Sequence, residues 1–421
     1  MSTVRLFYDV ALEQVKEPAP AELDKCEPNS SFGLMLRVSF WVILLFLSRA
    51  LSGGAEPDRF LDFERSQIER IIEMGYNMDP RTAAEINTLK NAFPESLVPG
   101  LLDAGYLYWM QNYKAWDEVA KATFEEHSET ALERAKDYLE AHPEDPDARF
   151  AVAMVELMQV IYYVDHHRWW PAFWKSRSSL RTMRRLHAEY PNYHDTKLPL
   201  GMHNCYMSRT PAYLKPLAFL MRFKGDWETG IRYMEEARES GLLCKVDAGY
   251  YLSAIRLELE GDRQASRDEM AKLVELFPGN LKFRAMLAEL ERGLGKQEVA
   301  MSEALEVMGD ERLGQFPGIE GRTYVTLLWS SLGANALEIT MDTAESVREF
   351  AGAHEGFDND LTWVDFVEAE ASWGLGRFEE AIRLWRLAAK GSDAELAATA
   401  EARLAKAAKP PNSVEPRPPV R

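Results

Sequence analysis

The sequence predicts an all-α protein, a right-handed α-solenoid of helix-turn-helix repeats with no β-sheet. The first observation is a helical pattern after Glu56, where apolar residues recur at spacings of three and four, as in FLDFERSQIERIIEMGY and ALERAKDYLEAH. That spacing is typical of helices with one buried face. The second is the absence of alternating β-branched runs, which strands would show. Short breaks separate the helical stretches: HPEDPD, YPNYHD, FPGN and FDND.

The third observation is a repeat of 34 residues. Small residues recur at this distance at three points: Ala254 and Ala288, Gly261 and Gly295, Ser266 and Ala300. Small residues let two antiparallel helices approach closely, glycine turns the chain, and proline ends the second helix. A helix-turn-helix unit of this length indicates a stacked repeat array.

These residues resemble the tetratricopeptide-repeat family. GLGRFEEAIRLWRLAA places glycine, aromatic and small residues on the family's positions: Gly376, Phe378, Ala381, Trp385 and Ala388. GDWETGIRYMEEA repeats the pattern: Gly225, Trp227, Gly230, Met234 and Ala237. Ser179 and Ser266 depart from it, because the family has alanine there. Residues 201–241 also resemble exported bacterial tetratricopeptide proteins of unassigned activity.

The period divides the chain into regions. Residues 201–309 and 310–408 are two blocks of tetratricopeptide-like repeats. Residues 56–200 are divergent helical repeats, because Pro143 and Pro191 lie 48 residues apart and an aromatic insert occupies 162–177. Residues 409–421 form a proline-rich tail that we expect to be disordered.

The beginning of the chain resembles a targeting segment. Residues 35–55 run from Met35 and Arg37 through an apolar stretch at 38–47 to small residues ending at Ala55, the order of a secretory signal. The apolar stretch is shorter than the ~20 residues of a membrane span. We therefore expect an exported, periplasmic or extracytoplasmic protein, with residues 1–34 a mispredicted or disordered extension. The alternative is an inner-membrane anchor, which would place residues 36–47 at the membrane.

Charge and cysteine content exclude some classes. The net charge of −18 argues against a nucleic-acid partner, since binding to phosphates needs a basic surface. Of three cysteines, Cys26, Cys205 and Cys244, the last two could form a disulfide in an exported protein. The other interpretation, buried free thiols, is common in folded proteins.

No motif predicts catalysis or a cofactor. Five of the eight histidines fall within 38 residues: His166, His167, His187, His194 and His203. Their spacing lacks the i, i+4 pair of helical zinc sites, so we expect no metal. No GxSxG, GxGxxG or P-loop occurs either. The alternative class is a metal-dependent enzyme or binder, built around Asp165, His166, His167, His194 and His203.

The stretch YYVDHHRWWPAFWKSR, residues 162–177, is the most aromatic of the chain. Pro171 disfavours helix at Trp170, so we expect one helix from about Asp147 to Tyr163 and the next from Ser178. The favoured interpretation buries the tryptophans where the period is stretched. The alternative is an exposed patch for a partner or a membrane surface: Trp169, Trp170 and Trp174.

The family resemblance implies a concave groove, lined by the first helix of each unit, that binds a peptide or protein. Transferred to this chain, the groove positions are Lys215, Phe219, Arg222, Tyr251, Ile255, Glu258, Lys282, Glu289 and Arg292. Such a strip could bind an acidic or C-terminal carboxylate peptide, or could be closed by its own salt bridges. We therefore expect a non-enzymatic interaction scaffold, with a membrane-associated assembly factor as a further alternative.

Overall fold

The computed structural model describes residues 65–209, 225–355, 357 and 360–408. Every regular element in these ranges is helical and none is a strand, so the predicted all-α fold is confirmed there. Several predicted features lie outside the described residues: the extension at 1–34, the signal segment at 35–55, Lys215, Phe219, Arg222, and the tail at 409–421.

Residues 65–209 form seven α-helices. They are α1 (Arg65–Tyr76), α2 (Thr82–Ala92), α3 (Val98–Lys114), α4 (Glu118–Ala141), α5 (Pro146–Asp165), α6 (Trp169–Glu189) and α7 (Lys197–Ser208). Aspartates begin α4 and α5, because the Asp117 and Asp145 carboxylates accept hydrogen bonds from backbone N–H groups of the first turn. A helix leaves these N–H groups without partners unless a side chain accepts from them.

The described residues from 225 to 408 form ten further α-helices. They are α8 (Trp227–Ser240), α9 (Lys245–Ile255), α10 (Arg263–Leu276), α11 (Leu281–Gly293), α12 (Gln297–Met308), α13 (Pro317–Gly333), α14 (Leu337–Ala353), α15 (Thr362–Gly374), α16 (Phe378–Ala388) and α17 (Ala394–Ala407). A π-helical turn, Arg256–Glu260, extends α9.

The turn glycines of the predicted period have the required conformation. Gly261, Gly295 and Gly376 have φ values of 72°, 80° and 79°, the left-handed region that residues with a Cβ avoid. Each follows the first helix of a pair, after α9, α11 and α15. Asn335 takes the equivalent place after α13, with φ 59°. The helix-turn-helix units therefore repeat through the C-terminal half of the described chain.

Consecutive helices pack against each other along the chain, which is the arrangement of an α-solenoid. Small residues set the closest approaches. A Cβ built on Gly230 of α8 would lie 2.6 Å from Cys205 Sγ of α7. Cys205 and Cys244 are both buried free thiols, so the alternative of a disulfide between them is wrong. No helix in the described ranges is both long and apolar enough to cross a bilayer.

The start of α6 differs from the prediction. This helix begins at Trp169 rather than at Ser178, and Pro171 lies in its first turn. Proline is tolerated there because the first N–H groups of a helix have no intrahelical acceptor. The break predicted from Pro171 lies a few residues earlier, where His167 has a φ of 58°.

The N-terminal helices also make contacts far along the chain. Asn280 Nδ2, just before α11, donates to the Tyr76 carbonyl oxygen at 2.6 Å. The Gly279 backbone N–H donates to Asn77 Oδ1 at 3.0 Å, and Arg312 donates to the Asn77 carbonyl at 3.2 Å. The end of α1 is thus fixed to the turns that precede α11 and α13.

Candidate functional site

Side chains of α3 lie against the first helices that were predicted to line a groove. The Tyr251 hydroxyl lies 3.1 Å from the Tyr108 hydroxyl of α3. Trp109 Nε1 donates to Asp247 Oδ1 of α9 at 3.0 Å. Ile255 has no exposed surface and belongs to the core. Its assignment to the groove surface is therefore wrong, since Ile255 points to the side on which α9 packs in the main core.

Lys282 of α11 is held among aromatic rings. Its Nζ lies 5.1, 5.7 and 5.4 Å from the ring centroids of Trp109, Tyr113 and Tyr250. Ring faces carry partial negative charge and attract an ammonium group. Burial, helped by repulsion from Arg322, lowers the pKa of Lys282 to about 7. This predicted groove residue is thus engaged by α3, which supplies two of the three rings.

The remaining groove positions differ from one another. Glu289 accepts from Arg322 at 2.5 Å, and Glu258 is exposed. Arg292 has a buried Nε with no hydrogen-bond partner among the described residues, and burial lowers the pKa of this guanidinium. Binding of a partner in the groove stays a prediction. A partner that contacts Tyr251 and Lys282 would have to displace α3.

The first turns of α6 present aromatic side chains to solvent. Trp170 is 71% exposed and Trp174 is 52% exposed, so the favoured prediction that both are buried is wrong. Their rings meet edge to face at 5.7 Å between centroids, and Phe173 lies 5.2 Å from Trp174. Trp169 is only partly exposed and contacts the His167 ring at 5.8 Å. The reason is helix phase, because α6 starts early and rotates Trp170 and Trp174 away from its buried side.

The exposed tryptophans continue into a row of arginines. Spacings of three and four place six exposed residues on one side of α6, called here the α6 face: Trp170, Trp174, Arg177, Arg181, Arg184 and Arg185. The opposite side packs into the core: Ala172, Ser179, Leu180, Met183 and Leu186. Trp170 and Arg185 are about 22 Å apart along the helix axis, at 1.5 Å per residue.

The arginines of the α6 face have few internal partners. Arg184 contacts His203 Nε2 at 2.8 Å. No acidic side chain in the described ranges pairs with Arg177, Arg181 or Arg185. By contrast, the basic residues that flank Trp170 and Trp174 on other sides of α6 are paired, with Arg168 on Glu125 and Lys175 near Glu129.

The histidines predicted as alternative metal ligands each have a separate neighbour. His166 Nδ1 lies 2.8 Å from the Tyr162 carbonyl oxygen. His194 Nδ1 lies 3.1 Å from Lys197 Nζ, and His203 contacts Arg184. No group of three or more His, Cys, Asp or Glu side chains in the described part of the chain could hold a metal ion. The structure therefore does not bring Asp165, His166, His167, His194 and His203 together as a metal site.

The α6 face had a signal in the sequence that the prediction did not use. The arginines of RSSLRTMRR continue the helical spacing of the tryptophans, but the predicted start at Ser178 separated them from Trp170 and Trp174. The position of α3 had a weaker signal, the aromatic density of GYLYWMQNYKAW. Helical periodicity shows which side of α3 is apolar, but not which distant helices cover it.

Comparison with known proteins leaves the function open. No family model matches the chain, and no curated protein matches it. Among solved structures, the chain is similar to the TPR domain of P58(IPK). The two share 12% identity over 82% of this chain and 99% of that chain, with a TM-score of 0.22. At this TM-score the superposition is loose, and the fold assignment depends on the order and packing of the helices.

Proposed function

We propose that this chain is a non-enzymatic protein-interaction scaffold whose α6 face binds an acidic partner segment with apolar side chains. The observation that carries the proposal is the row of two exposed tryptophans and four exposed arginines on one side of α6. Tryptophan and arginine are enriched where binding energy concentrates in protein interfaces. A row of about 22 Å matches an extended or helical peptide segment.

Charge complementarity supports an acidic partner. The whole chain has a net charge of −18, whereas the α6 face has four arginines and no acidic residue. Free arginines favour carboxylate ligands, because the guanidinium can form two parallel hydrogen bonds with one carboxylate. The net negative charge of the chain disfavours binding of an acidic segment at other places on its surface.

A peptide segment fits this distribution better than a bilayer. Charges at a protein surface are screened over about 8 Å at physiological salt. A narrow segment along α6 mainly meets the arginines, whereas a flat anionic membrane would also face parts of the chain outside α6, and the chain as a whole has a net charge of −18. Two tryptophans and four arginines would give a modest membrane affinity. We therefore favour a protein partner over the membrane-associated alternative.

The test is a direct binding measurement with defined peptides. An array of synthetic acidic peptides that contain Leu or Phe is compared with matched peptides that have Ala at those positions. We expect the full chain to bind the first set, with an affinity that falls as salt increases. The variants Arg177→Glu/Arg181→Glu/Arg185→Glu and Trp170→Ala/Trp174→Ala should each weaken binding by about tenfold or more, or 1.4 kcal/mol.

The matched control reverses the charge of three exposed basic residues in the C-terminal part of the chain: Arg386→Glu, Lys390→Glu and Lys406→Glu. This control has the same change in net charge, so it should leave affinity for the selected peptides within about twofold if the effect is local to α6. Equal losses in the control and the α6 variants would overturn the assignment of the face. Binding to anionic vesicles, with no binding to any peptide, would assign the face to lipid instead.

We also propose that the scaffold is exported, with cleavage near Ala55 and translation from Met35. The support is the order of charged, apolar and small residues in 35–55. N-terminal sequencing of the protein purified from the envelope fraction tests it. A mature protein that retains residues 38–47 would indicate the anchored alternative.

A further inference from the structure

The described part of the chain contains a cavity of about 90 Å³ between α1, α2 and α3 on one side and α5, α7 and α9 on the other. Its lining is almost entirely apolar and includes three methionines: Met154, Met158 and Met202. One water needs roughly 10–15 Å³ on such a scale, and an engineered apolar cavity of roughly 150 Å³ binds benzene. Unbranched methionines can move to enlarge this space.

Two glycines line the cavity at positions where the surrounding atoms leave room for a Cβ atom. A Cβ on Gly105 of α3 would come no closer than 3.5 Å to any atom, here Met158 Cε, and one on Gly75 of α1 would lie 3.6 Å from Thr82 Cγ2. Both are ordinary van der Waals distances. Glycine within a helix is less favourable than alanine. At Gly105 and Gly75 the missing methyl groups therefore keep space open without allowing any closer helix packing.

One carboxylate lies in the apolar wall. Asp247 Oδ1 accepts hydrogen bonds from the Tyr76 hydroxyl at 2.6 Å and from Trp109 Nε1 at 3.0 Å. No described residue donates to the other oxygen, Oδ2. A carboxylate in such surroundings is costly unless its oxygens accept hydrogen bonds. Asp247 thus offers one acceptor to a molecule in the cavity.

We propose that this cavity is a binding site for a compact apolar molecule with a single hydrogen-bond donor, such as a hydroxyl or amine group. The apolar body contacts the methionines and the open space beside Gly105, and the donor hydrogen-bonds to Asp247 Oδ2. The site is separate from the α6 face, and its test does not depend on the proposed interaction function.

The test uses phenol and toluene, two probes of similar shape that differ in the donor. Isothermal titration calorimetry on the full chain should show saturable binding of phenol, and weaker binding of toluene. Gly105→Ala should weaken phenol binding by about tenfold, the effect of one methyl group in a filled site. The same variant should raise the denaturation midpoint, because alanine favours the helix. A gain of stability with a loss of binding would not result from misfolding.

Gly352→Ala is the matched control. Gly352 lies near the end of α14 with no atom within 4 Å of a built Cβ, so its replacement should also raise the midpoint but leave phenol affinity unchanged. Absence of saturable phenol binding, or equal binding by wild type and Gly105→Ala, would overturn the site. Equal affinities for phenol and toluene, unchanged in Asp247→Asn, would overturn the donor requirement.

Discussion

The helices α15 to α17 and the helices α1 to α11 are stabilised in different ways. In the first group, buried polar contacts join near neighbours. Trp385 Nε1 donates to Glu370 Oε1, 15 residues away, and Arg403 forms two hydrogen bonds with the same carboxylate from 33 residues away. In the second group, Trp109 bonds to Asp247, 138 residues away, and Asn280 bonds to Tyr76, 204 residues away.

The difference concerns cooperativity. A solenoid in which each unit contacts only its neighbours is stabilised by a sum of local terms. Helices α15 to α17 fit this description, whereas α14 also contacts the N-terminal part of the chain, because its Phe350 ring lies 6.3 Å from the Trp116 ring. In the N-terminal group, α3 lies across the first helices of successive units, so these units depend on a helix far away in sequence. Loop closure must precede such contacts, which makes them slower to form.

The largest expected effect tests this difference with two buried tryptophans. Trp109→Ala and Trp385→Ala should each reduce the free energy of unfolding by about 3–5 kcal/mol, since both delete a large buried ring. Their hydrogen-exchange footprints should differ. Trp109→Ala should raise exchange in α1–α3 and also in α9 and α11, whereas Trp385→Ala should raise it only in α15–α17.

The set of helices in which hydrogen exchange increases, rather than the loss of stability, distinguishes long-range from local stabilisation. Trp109 contacts the Tyr250 ring at 4.9 Å and the Tyr76 ring at 6.0 Å, and these lie on α9 and α1. An exchange increase confined to α3 in Trp109→Ala would contradict long-range coupling. An increase that reaches α9 in Trp385→Ala would show that the C-terminal group is not local either.

A second prediction concerns pH and Asp247, which lies at the junction of α1, α3 and α9. Burial is the largest effect and raises the pKa of this carboxyl to about 6. The negative charge of the nearby Asp195 also raises this pKa, whereas the hydrogen bonds from Tyr76 and Trp109 lower it. Between pH 4 and 6 the folded protein therefore holds a proton that the unfolded chain has lost. Stability falls as pH rises through this window, by up to about 3 kcal/mol from this group.

Asp247→Asn should remove this contribution, because an amide does not ionise and its oxygen can still accept from Tyr76 and Trp109. Urea midpoints measured from pH 4 to pH 7 should fall less in the variant than in the wild type. Carboxyls with lowered pKa values, such as Asp79 at about 2, change protonation below this range in the folded state and are common to both proteins. Parallel curves for the two proteins would contradict the assigned direction.

The sequence predicted the repeat architecture well because its determinants are local. Gly261 and Gly295 turn the chain where the 34-residue period places them, and α16 packs through the predicted Ala381 and Trp385. Helical spacing and turn chemistry need only nearby residues. The groove positions were less predictable, because Ile255 is buried and Lys282 contacts two rings of α3 and one of α9.

Prediction of the α6 face depended on where α6 begins, because a shift of a few residues changes which side chains point to solvent. The predicted start at Ser178 left Trp170 and Trp174 in a loop, and the prediction buried them because large rings are buried on average. The actual start at Trp169 places both on the side opposite to Leu180 and Met183. The cavity had no sequence signal, because it forms between α1–α3 and helices that lie far along the chain.

The smallest expected effect separates a helix cap from a long-range contact. Asn280 Oδ1 accepts from the Phe283 N–H as the cap of α11, and its Nδ2 donates to the Tyr76 carbonyl. Asp262 is only a cap, accepting from the Ala265 N–H at the start of α10. Loss of a cap costs about 1 kcal/mol, and a buried carbonyl left without a donor costs a further ~1–3 kcal/mol. Asn280→Ala should therefore reduce the free energy of unfolding more than Asp262→Ala.

Asn280→Asp keeps the cap acceptor but cannot donate to Tyr76 as a carboxylate, and it also buries a charge, because Asn280 has no exposed surface. We expect its unfolding free energy, measured in urea, to lie below that of the wild type. It should also raise hydrogen exchange at the end of α1, which Asp262→Ala should leave unchanged. If Asn280→Asp equalled the wild type, the bond to Tyr76 would contribute no net stability. The N-terminal helices would then be held to the array by apolar and aromatic packing, with Trp109 as its centre.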